Sequence, residues 1–420
     1  MILETDTMGA TERFETVINH KEPDRIPIFL MGIKPYTQAY IELMANDEEI
    51  LDQWTDDDEN IMITPLGDYT IRYILGSELE HRSVGIINNF TNKALDEGNN
   101  ISGNFDPQKK REALDELRDK QNSDEIEGQG LEYRYLNYEG RITGVTILPN
   151  GREYQWYIGG YLKKKEQIID WFDTYGWQHE KKTSKLNVEQ YRKCVKEYGD
   201  KICFVPQIGG VQLFESLWPM MGFARFSYFC RKEPELIHRL VETRKKAQLK
   251  ILDELERVDP IAVFGGDDLG QKGRSMISPA VFKKYFKDAY REICDRVHEM
   301  GAILYIHSCG NMTDLLPDMI DAGLDGWQSL EPDSLIDHAA LKKKYGDEFL
   351  FVGGINQSYM TEPGVGPKQV EIHVKNQIKK MGDGGGYIAG PAHDYLNVSL
   401  ENVLSLRDSI YRWGKYPLEF

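Results

Sequence analysis

From residue 200 onward, short apolar runs alternate with segments of helical periodicity. The apolar runs read as buried strands, and each ends in glycine or polar residues: "ICFVPQIGG" (202–210), "PIAVFGGDDLG" (260–270), "AILYIHSCG" (302–310), "DGWQSLEP" (325–332), "EFLFVGGIN" (348–356) and "GYIAGPAH" (386–393). Strands separated by helices of ten or more residues are typical of parallel βαβ units. The pattern therefore predicts a parallel sheet covered by helices.

The segment "SPAVFKKYFKDAYREICDRVHEMG" (278–301) is the most clearly marked helix. Ser278 is suited to the N-cap, Pro279 to the first helical position, and Gly301 to the end. Apolar residues recur along it at a spacing of 3.6, and Cys294 belongs to that stripe. Cys294 is therefore predicted to lie in the core and not in a site.

Two further strands precede residue 200, in "RIPIFLMG" (25–32) and "NIMITPLGD" (60–68). The eight predicted strands lie near 26–32, 61–66, 202–209, 261–267, 303–309, 325–331, 349–355 and 386–391. Eight strands in β/α alternation predict an α/β fold, a (β/α)8 TIM barrel, formed as a single domain by residues 1–420.

A long excursion separates the second predicted strand from the third, far beyond an ordinary loop. "LEYRYLNYEGRITGVTILPNGREYQWYIGGYLKK" (131–164) contains β-like runs broken by turn signals. We predict a large β-rich insertion over residues 75–195, leaving the barrel between strands 2 and 3. Because it leaves from the end of a strand, it should rise over the C-terminal mouth, either as a lid or docking surface or as a buttress.

The amino-acid composition disfavours several classes of binding partner. The chain carries 68 acidic and 51 basic residues, a net charge of −17, which disfavours nucleic acid and anionic lipid as partners. No run approaches 18 apolar residues, and the N-terminus does not resemble a secretory signal, so no membrane span is expected. Five scattered cysteines fit a reducing cytoplasm better than a disulfide scaffold.

Polar residues stand at nearly every predicted strand end, where the active sites of TIM barrels lie. In chain order they are Asp68, Gln207, Asp267, Asp268, His307, Cys309, Gln328, Glu331, Asn356 and His393. Residues two apart on a strand point the same way, so His307 and Cys309 lean into one pocket. Packing is the alternative for these two, helix capping for the acids, and a turn for Asn356.

The stretch "IHSCGNMTDLLPDMIDAGLDGWQSLEP" (306–332) closely resembles the uroporphyrinogen decarboxylase superfamily. So do "ERFETVINHKEPDRIPIF" (12–29), "GGDDLGQKGRSMISPAVF" (265–282) and "GGYIAGPAHDYLNVSLENV" (385–403). The resemblance covers most of the chain except the insertion, and it also implies a TIM barrel. The superfamily includes zinc methyltransferases that exchange methyl groups with corrinoids.

In those methyltransferases a His-x-Cys pair binds zinc with a further cysteine near the last strand. The resemblance thus implies His307 and Cys309 as ligands, but His393 stands near the position of the third. We expect Zn²⁺ on His307, Cys309 and His393, with Glu331 or Asp268 as a further candidate ligand. Glu331, Asp268 and His393 are also the predicted catalytic acids. The predicted substrate-binding residues are Gln207, Trp327, Gln328, Tyr395 and Asn356.

The decarboxylase branch is the less favoured one. It carries an arginine-bearing loop after its first strand, whereas "FLMGIKPYTQAY" (29–40) has one lysine and no arginine. An acidic chain also poorly suits a substrate with eight carboxylates. We therefore predict a cytoplasmic methyltransferase that moves a methyl group from a small, methoxylated donor to a corrinoid protein. The Asp-x-His-x-x-Gly corrinoid pattern is absent, so the corrinoid should be carried by a separate partner.

Three other functions stay open. They are uroporphyrinogen decarboxylation, a metal-dependent lyase or hydrolase using Asp267 and Asp268 without corrinoid, and a non-catalytic binding protein. A homodimer is left open as the assembly.

Overall fold

The computed structural model describes residues 6–30, 39, 42, 79–83, 133–136, 140–147, 153–175, 188–208, 211–393 and 397–420. Its main sheet contains seven parallel strands, each of which pairs with the next in chain order. They are β1 (Leu79–Ser83), β5 (Cys203–Gln207), β6 (Ala262–Gly266), β9 (Ile303–His307), β10 (Gly326–Ser329), β11 (Leu350–Ile355) and β12 (Tyr387–Pro391). Ile28 adds a parallel bridge to Ala389 of β12. The predicted TIM barrel is thereby confirmed.

Six of the eight predicted barrel strands coincide with observed strands, namely β5, β6 and β9 to β12, with ends that agree to within two residues. The first is represented by the bridge at Ile28, and 61–66 lies outside the described residues. The strand beside β5 is β1, which pairs in parallel with Cys203–Gln207. β1 falls inside the range predicted for the insertion, yet it belongs to the barrel sheet. The extent of the insertion stays a prediction.

Helices connect the strands and cover the outside of the sheet. They are α1 (Ala10–Ile18), α2 (Lys165–Tyr175), α3 (Val188–Tyr198), α4 (Trp218–Met221), α5 (Phe223–Lys232), α6 (Pro234–Leu255), α7 (Pro279–Tyr285), α8 (Lys287–Glu299), α9 (Leu316–Asp321), α10 (His338–Tyr345), α11 (Pro367–Met381) and α12 (Leu400–Trp413). The long helix predicted over 278–301 is divided into α7 and α8 at Phe286. Its predicted cap is present, because the Ser278 side chain accepts a hydrogen bond from the Val281 amide.

Alternation along the strands separates two hydrophobic clusters. The smaller cluster contains Val205, Phe264, Tyr305 and Val352, with Phe14 of α1 packed against it. The larger cluster joins the opposite face of the strands to the helices and includes the fully buried Cys294, as predicted. Because successive strand residues point to opposite faces, one face of each strand fills the barrel and the other binds the helices.

A second sheet of three antiparallel strands lies in the region predicted to be β-rich. It consists of β2 (Tyr133–Leu136), β3 (Arg141–Ile147) and β4 (Glu153–Gly160). The sheet contacts the connection after β5: the ring centroids of Tyr157 and Trp218 are 4.9 Å apart, and the Leu162 amide donates to the Met220 carbonyl. It therefore packs on the side of the barrel where the strands end.

A short antiparallel pair, β7 (Gly270–Gln271) and β8 (Arg274–Ser275), forms the connection after β6. Gln271 also makes an isolated bridge to Asn311 in the loop after β9. The two neighbouring connections are thus joined through their backbones.

No helix in the described part of the chain combines the length and the apolar character needed to cross a membrane.

Candidate functional site

Three potential metal ligands meet at the C-terminal ends of β9 and β12. The Nε2 atom of His307 lies 3.1 Å from the Sγ atom of Cys309, and that sulfur lies 3.3 Å from Nε2 of His393. All three donor atoms lie within 4.8 Å of one another. The structure therefore brings together the three residues that the sequence predicted as a metal site.

Two glycines allow the loop that carries Cys309 to reach this position. Gly310 has a φ of +70°, and a Cβ atom there would lie 2.5 Å from the Gln271 amide nitrogen. A Cβ atom on Gly270 would lie 2.5 Å from the Cys309 carbonyl oxygen. Only glycine fits at both positions, because the loops after β6 and β9 touch through their backbones. This close contact brings Asp268 beside Cys309.

Gln328 on β10 orients His307. Its Oε1 atom lies 2.5 Å from Nδ1 of His307, and the two residues are register partners on adjacent strands. An amide oxygen only accepts hydrogen bonds, so Nδ1 carries the proton and donates it. The Nε2 lone pair of His307 is therefore directed toward Cys309, which is the arrangement typical of metal-binding histidines.

Asp268 and Glu331 hold the backbone of the same loop. Asp268 Oδ1 accepts a hydrogen bond of 2.8 Å from the Cys309 amide and lies 3.6 Å from His307 Nε2. Glu331 Oε2 accepts from the Gly310 amide at 3.1 Å and from the Ser334 hydroxyl at 2.8 Å. Both predicted acids thus lie at the cluster, and both position the loop that presents Cys309.

The backbone before Glu331 is strained. Ser329 and Leu330 have φ values of +116° and +53°, in a region that side-chain-bearing residues rarely adopt. Such strain persists only where surrounding contacts impose it, and it concentrates at functional sites. In this barrel it turns the chain so that the Glu331 carboxylate reaches back to Gly310.

The surroundings of Cys309 suit a cation. Burial, with the negative charges of Asp268 and Glu331, raises the pKa of its thiol well above the ordinary value. A bound metal ion reverses this, because it stabilises the thiolate as a ligand. A tetrahedral zinc ion, with bonds of about 2.3 Å to sulfur and 2.0 Å to nitrogen, separates such ligands by about 3.6 Å. The two nitrogen–sulfur distances, 3.1 and 3.3 Å, are close to that value, so the three residues fit zinc and would leave a fourth tetrahedral position for a reacting group.

Glu215, which the sequence reasoning missed, stands behind Asp268. Its Oε2 atom lies 3.4 Å from the Asp268 amide. Burial, then the charges of Asp268 and Asp267, raises the pKa of Glu215 to about 7. Glu215 lies eight residues beyond the end of β5 at Gln207, so it was not among the polar residues at the predicted strand ends.

Asp267 has a structural role. It is fully buried and accepts hydrogen bonds from the amides of Phe214 and Glu215 and from the Tyr290 hydroxyl. Burial raises its pKa to about 6 despite these donors. Asp267 thus joins the connection after β5 to the end of β6, and it does not face the three ligands.

The predicted substrate-binding residues fall into different environments. Gln207 ends β5 two residues after Val205, which faces the barrel interior, so Gln207 points to the mouth. Trp327 does not line this site: it alternates with Gln328, packs in the larger core cluster, and donates its indole N–H to the Ser308 carbonyl. Tyr395 lies outside the described residues.

Asn356 has the turn role that was the alternative to substrate binding. Its Oδ1 atom accepts a hydrogen bond from the Tyr359 amide, and its Nδ2 atom donates to Asp333. It therefore closes the turn that leads into the short 3-10 helix Tyr359–Thr361, and its side-chain oxygen and nitrogen both have hydrogen-bond partners.

The chain is similar to known methyltransferases. It is 24% identical over 215 residues to the methylcobamide:CoM methyltransferase MtaA of Methanosarcina barkeri, covering 49% of this chain and 59% of the relative. The same enzyme from the strain Fusaro is 25% identical over 216 residues. The chain thus spans less than two thirds of the curated relatives that it matches.

A solved methyltransferase from Methanosarcina mazei shares the fold, with a TM-score of 0.58, 14% identity, and coverage of 96% of this chain and 99% of that one. The family of uroporphyrinogen decarboxylase (URO-D) matches residues 168–413, which is more than half of the chain and contains all three candidate ligands. The chain therefore belongs to the uroporphyrinogen decarboxylase family, and the curated relatives that it matches there are methyltransferases.

Proposed function

We propose that this protein is a methyltransferase that takes a methyl group from a small methoxylated compound and passes it to the corrinoid of a separate protein. The observation that carries the proposal is the His307–Cys309–His393 cluster at the barrel mouth, whose three donor atoms would leave the fourth position of a tetrahedral zinc ion to the reacting group. Catalytic zinc sites keep such a position for the reacting group, whereas structural zinc sites are closed by four protein ligands.

The relatives support the transfer of a methyl group. Their printed name describes methyl exchange between a cobamide and coenzyme M. The five cysteines of this chain are all free thiols, which suits the reducing cytoplasm in which we place the reaction.

The ligand set favours an oxygen over a thiol as the group that loses or gains methyl. One thiolate and two neutral imidazoles leave a zinc site with a net charge of +1, whereas two thiolates would neutralise the ion. A site with fewer thiolates is the harder Lewis acid and prefers oxygen. Zinc held there would withdraw charge from the ether oxygen as the carbon–oxygen bond breaks. The small molecule that exchanges methyl with the corrinoid is therefore proposed to be an ether, and not the thiol coenzyme M named for the relatives.

The residues of this chain prepare the site for that reaction. Gln328 holds His307 in one tautomer, and Asp268 and Glu331 hold the loop of Cys309 through its backbone amides. In the transfer, the methyl–oxygen bond breaks, a methyl–cobalt bond forms at a reduced corrinoid, and the freed oxygen takes up one proton. We assign the supply of that proton to Glu331 or Asp268, whose carboxyl groups lie beside the cluster.

The test mixes zinc-loaded protein, a reduced corrinoid protein and a panel of methoxylated aromatic compounds, and follows the absorption spectrum of the methylated corrinoid. We expect methylation with at least one methoxylated donor and weak or no transfer to coenzyme M from the methylated corrinoid. Turnover of uroporphyrinogen without any methyl transfer would instead establish the decarboxylase. Efficient transfer to coenzyme M alone would contradict the ether donor and retain the corrinoid partner.

A further inference from the structure

A cavity of about 520 Å³ lies between α5 and the start of α7, apart from the metal ligands. Its walls are largely apolar and include Phe226, Ile277, Val281 and Tyr285. Cavities of 300–1,000 Å³ with such walls are typical of sites for small organic molecules. None of the residues that line it belongs to the His307–Cys309–His393 cluster.

The two segments that form this cavity are positively charged, whereas the chain as a whole is negatively charged. Residues 222–232 and 269–287 contain eight lysines and arginines and no aspartate or glutamate, although the whole chain carries −17. Lys283 and Lys287 pair with Asp318. The remaining six form no ion pair with an acid in the described ranges: Arg225, Arg231, Lys232, Lys272, Arg274 and Lys284.

Two of these unpaired cations stand at the cavity itself. Arg231 and Lys284 line it, both are exposed to solvent, and no acidic residue is among the lining residues. Ser227 and Ser278 add hydroxyl groups to the same wall. A cavity with an apolar interior and uncompensated positive charge at its edge is complementary to a molecule with an apolar body and one anionic head.

We propose that this cavity binds a small amphiphilic anion, with its apolar body among Phe226, Ile277 and Tyr285 and its carboxylate or phosphate head at Arg231 and Lys284. The acidic remainder of the surface repels such a molecule, so binding concentrates at this one reversed patch. The site is independent of the metal cluster and goes beyond the proposed methyl transfer.

Four ten-carbon probes test the head and the body separately by titration calorimetry: decanoate, decyl phosphate, decanol and decyltrimethylammonium. We expect one molecule of each anion per chain, bound at least tenfold more tightly than decanol, and no binding of the cation. Comparing decanoate with decyl phosphate identifies which head the site prefers. If decanol bound as tightly as decanoate, the proposal of an anion site would be wrong, because the cavity would then bind apolar chains without selecting a negative charge.

Variants locate the site. Ser227→Trp places a large side chain at the cavity wall from an exposed helical position and should abolish binding; Ala280→Trp does the same from α7 should the first variant fail to fold. The double variant Arg231→Glu/Lys284→Glu should weaken decanoate at least tenfold. Lys343→Glu, an equal charge change at an exposed position elsewhere, should leave the affinity unchanged. Binding that survives both the Trp and the double variant would overturn the proposal.

Discussion

Two regions of this protein are opposite in charge: an acidic half around Cys309 and a basic half around the cavity between α5 and α7. Around Cys309, the connections after β6 and β10 bring Asp268 and Glu331 to within hydrogen-bonding distance of one loop, with Glu215 behind them. Around the cavity beside α5, residues 222–232 and 269–287 contain no acids and supply six cations that form no ion pair within the described residues. The same kind of strand-to-helix connection thus suits a metal cation on one side and an organic anion on the other. The net charge of −17 for the whole chain therefore does not show how charge is distributed between the two halves.

The largest effect should come from removing the central ligand. Cys309→Ala should lower zinc affinity at least about 1,000-fold and remove most methyl transfer, because two remaining imidazoles do not make a zinc site. Metal analysis after dialysis measures this. Cys294→Ala, which removes a buried thiol in the helical core, is the matched control and should retain zinc. Full zinc content in Cys309→Ala would show that Cys309 is not a zinc ligand, and the acidic half would then not be the metal site.

Gly310→Ala should destabilise the loop by about 3–4 kcal/mol, since its Cβ atom would meet the Gln271 backbone and its φ is positive. Chemical denaturation measures the loss. Gly364→Ala separates the two causes, because its φ is +84° with nothing within 4 Å of the new atom. It should cost only about 1 kcal/mol. Equal losses at both glycines would show that loop contact contributes nothing.

Glu215→Gln should change the pH dependence of stability in chelator-treated protein. The pKa of Glu215 is about 7 when folded and close to 4.5 when unfolded, so the folded state holds an extra proton between these values. Wild-type stability therefore falls as pH rises from about 4.5 to about 7, by on the order of 3 kcal/mol from this group. The variant should lack that loss.

Thermal unfolding across this pH range measures the difference. Glu235→Gln, at an exposed position on α6, provides the comparison and should follow the wild type. Parallel pH profiles for wild type and Glu215→Gln would show that the pKa of Glu215 is not raised by folding. Its carboxyl group would then not be a buried acid beside Asp268.

Gln328→Ala should have the smallest effect, a loss of about 10–100-fold in zinc affinity, since it removes only the group that orients His307. Competition with a coloured chelator measures it. Gln377→Ala is matched, because Gln377 makes the same kind of bond to Nδ1 of the buried His338, away from the site. Equal zinc affinity in all three proteins would remove Gln328 from the site.

The sequence predicted the strands that carry continuous apolar runs. β9 and β11 are buried between the barrel interior and the helices, and this double burial selects Leu, Ile, Val and Phe along both strands. β1 was missed because "LEHRS" contains a single apolar residue. β1 belongs to the sheet because its backbone pairs with β5, and backbone pairing does not require apolar side chains that a sequence pattern would reveal.

The sequence by itself determined the fold class and placed His307, Cys309 and His393 at strand ends, because strand alternation and polar strand ends are local patterns. The resemblance to the family then selected these three as the candidate ligands. Tertiary structure alone decided that Asp268 and Glu331 hold the loop of Cys309, that Trp327 faces the core, and that Glu215 stands behind Asp268. These contacts join residues from different βα units. Their geometry depends on how adjacent loops pack, as at Gly310, and no periodicity along a single segment records that packing.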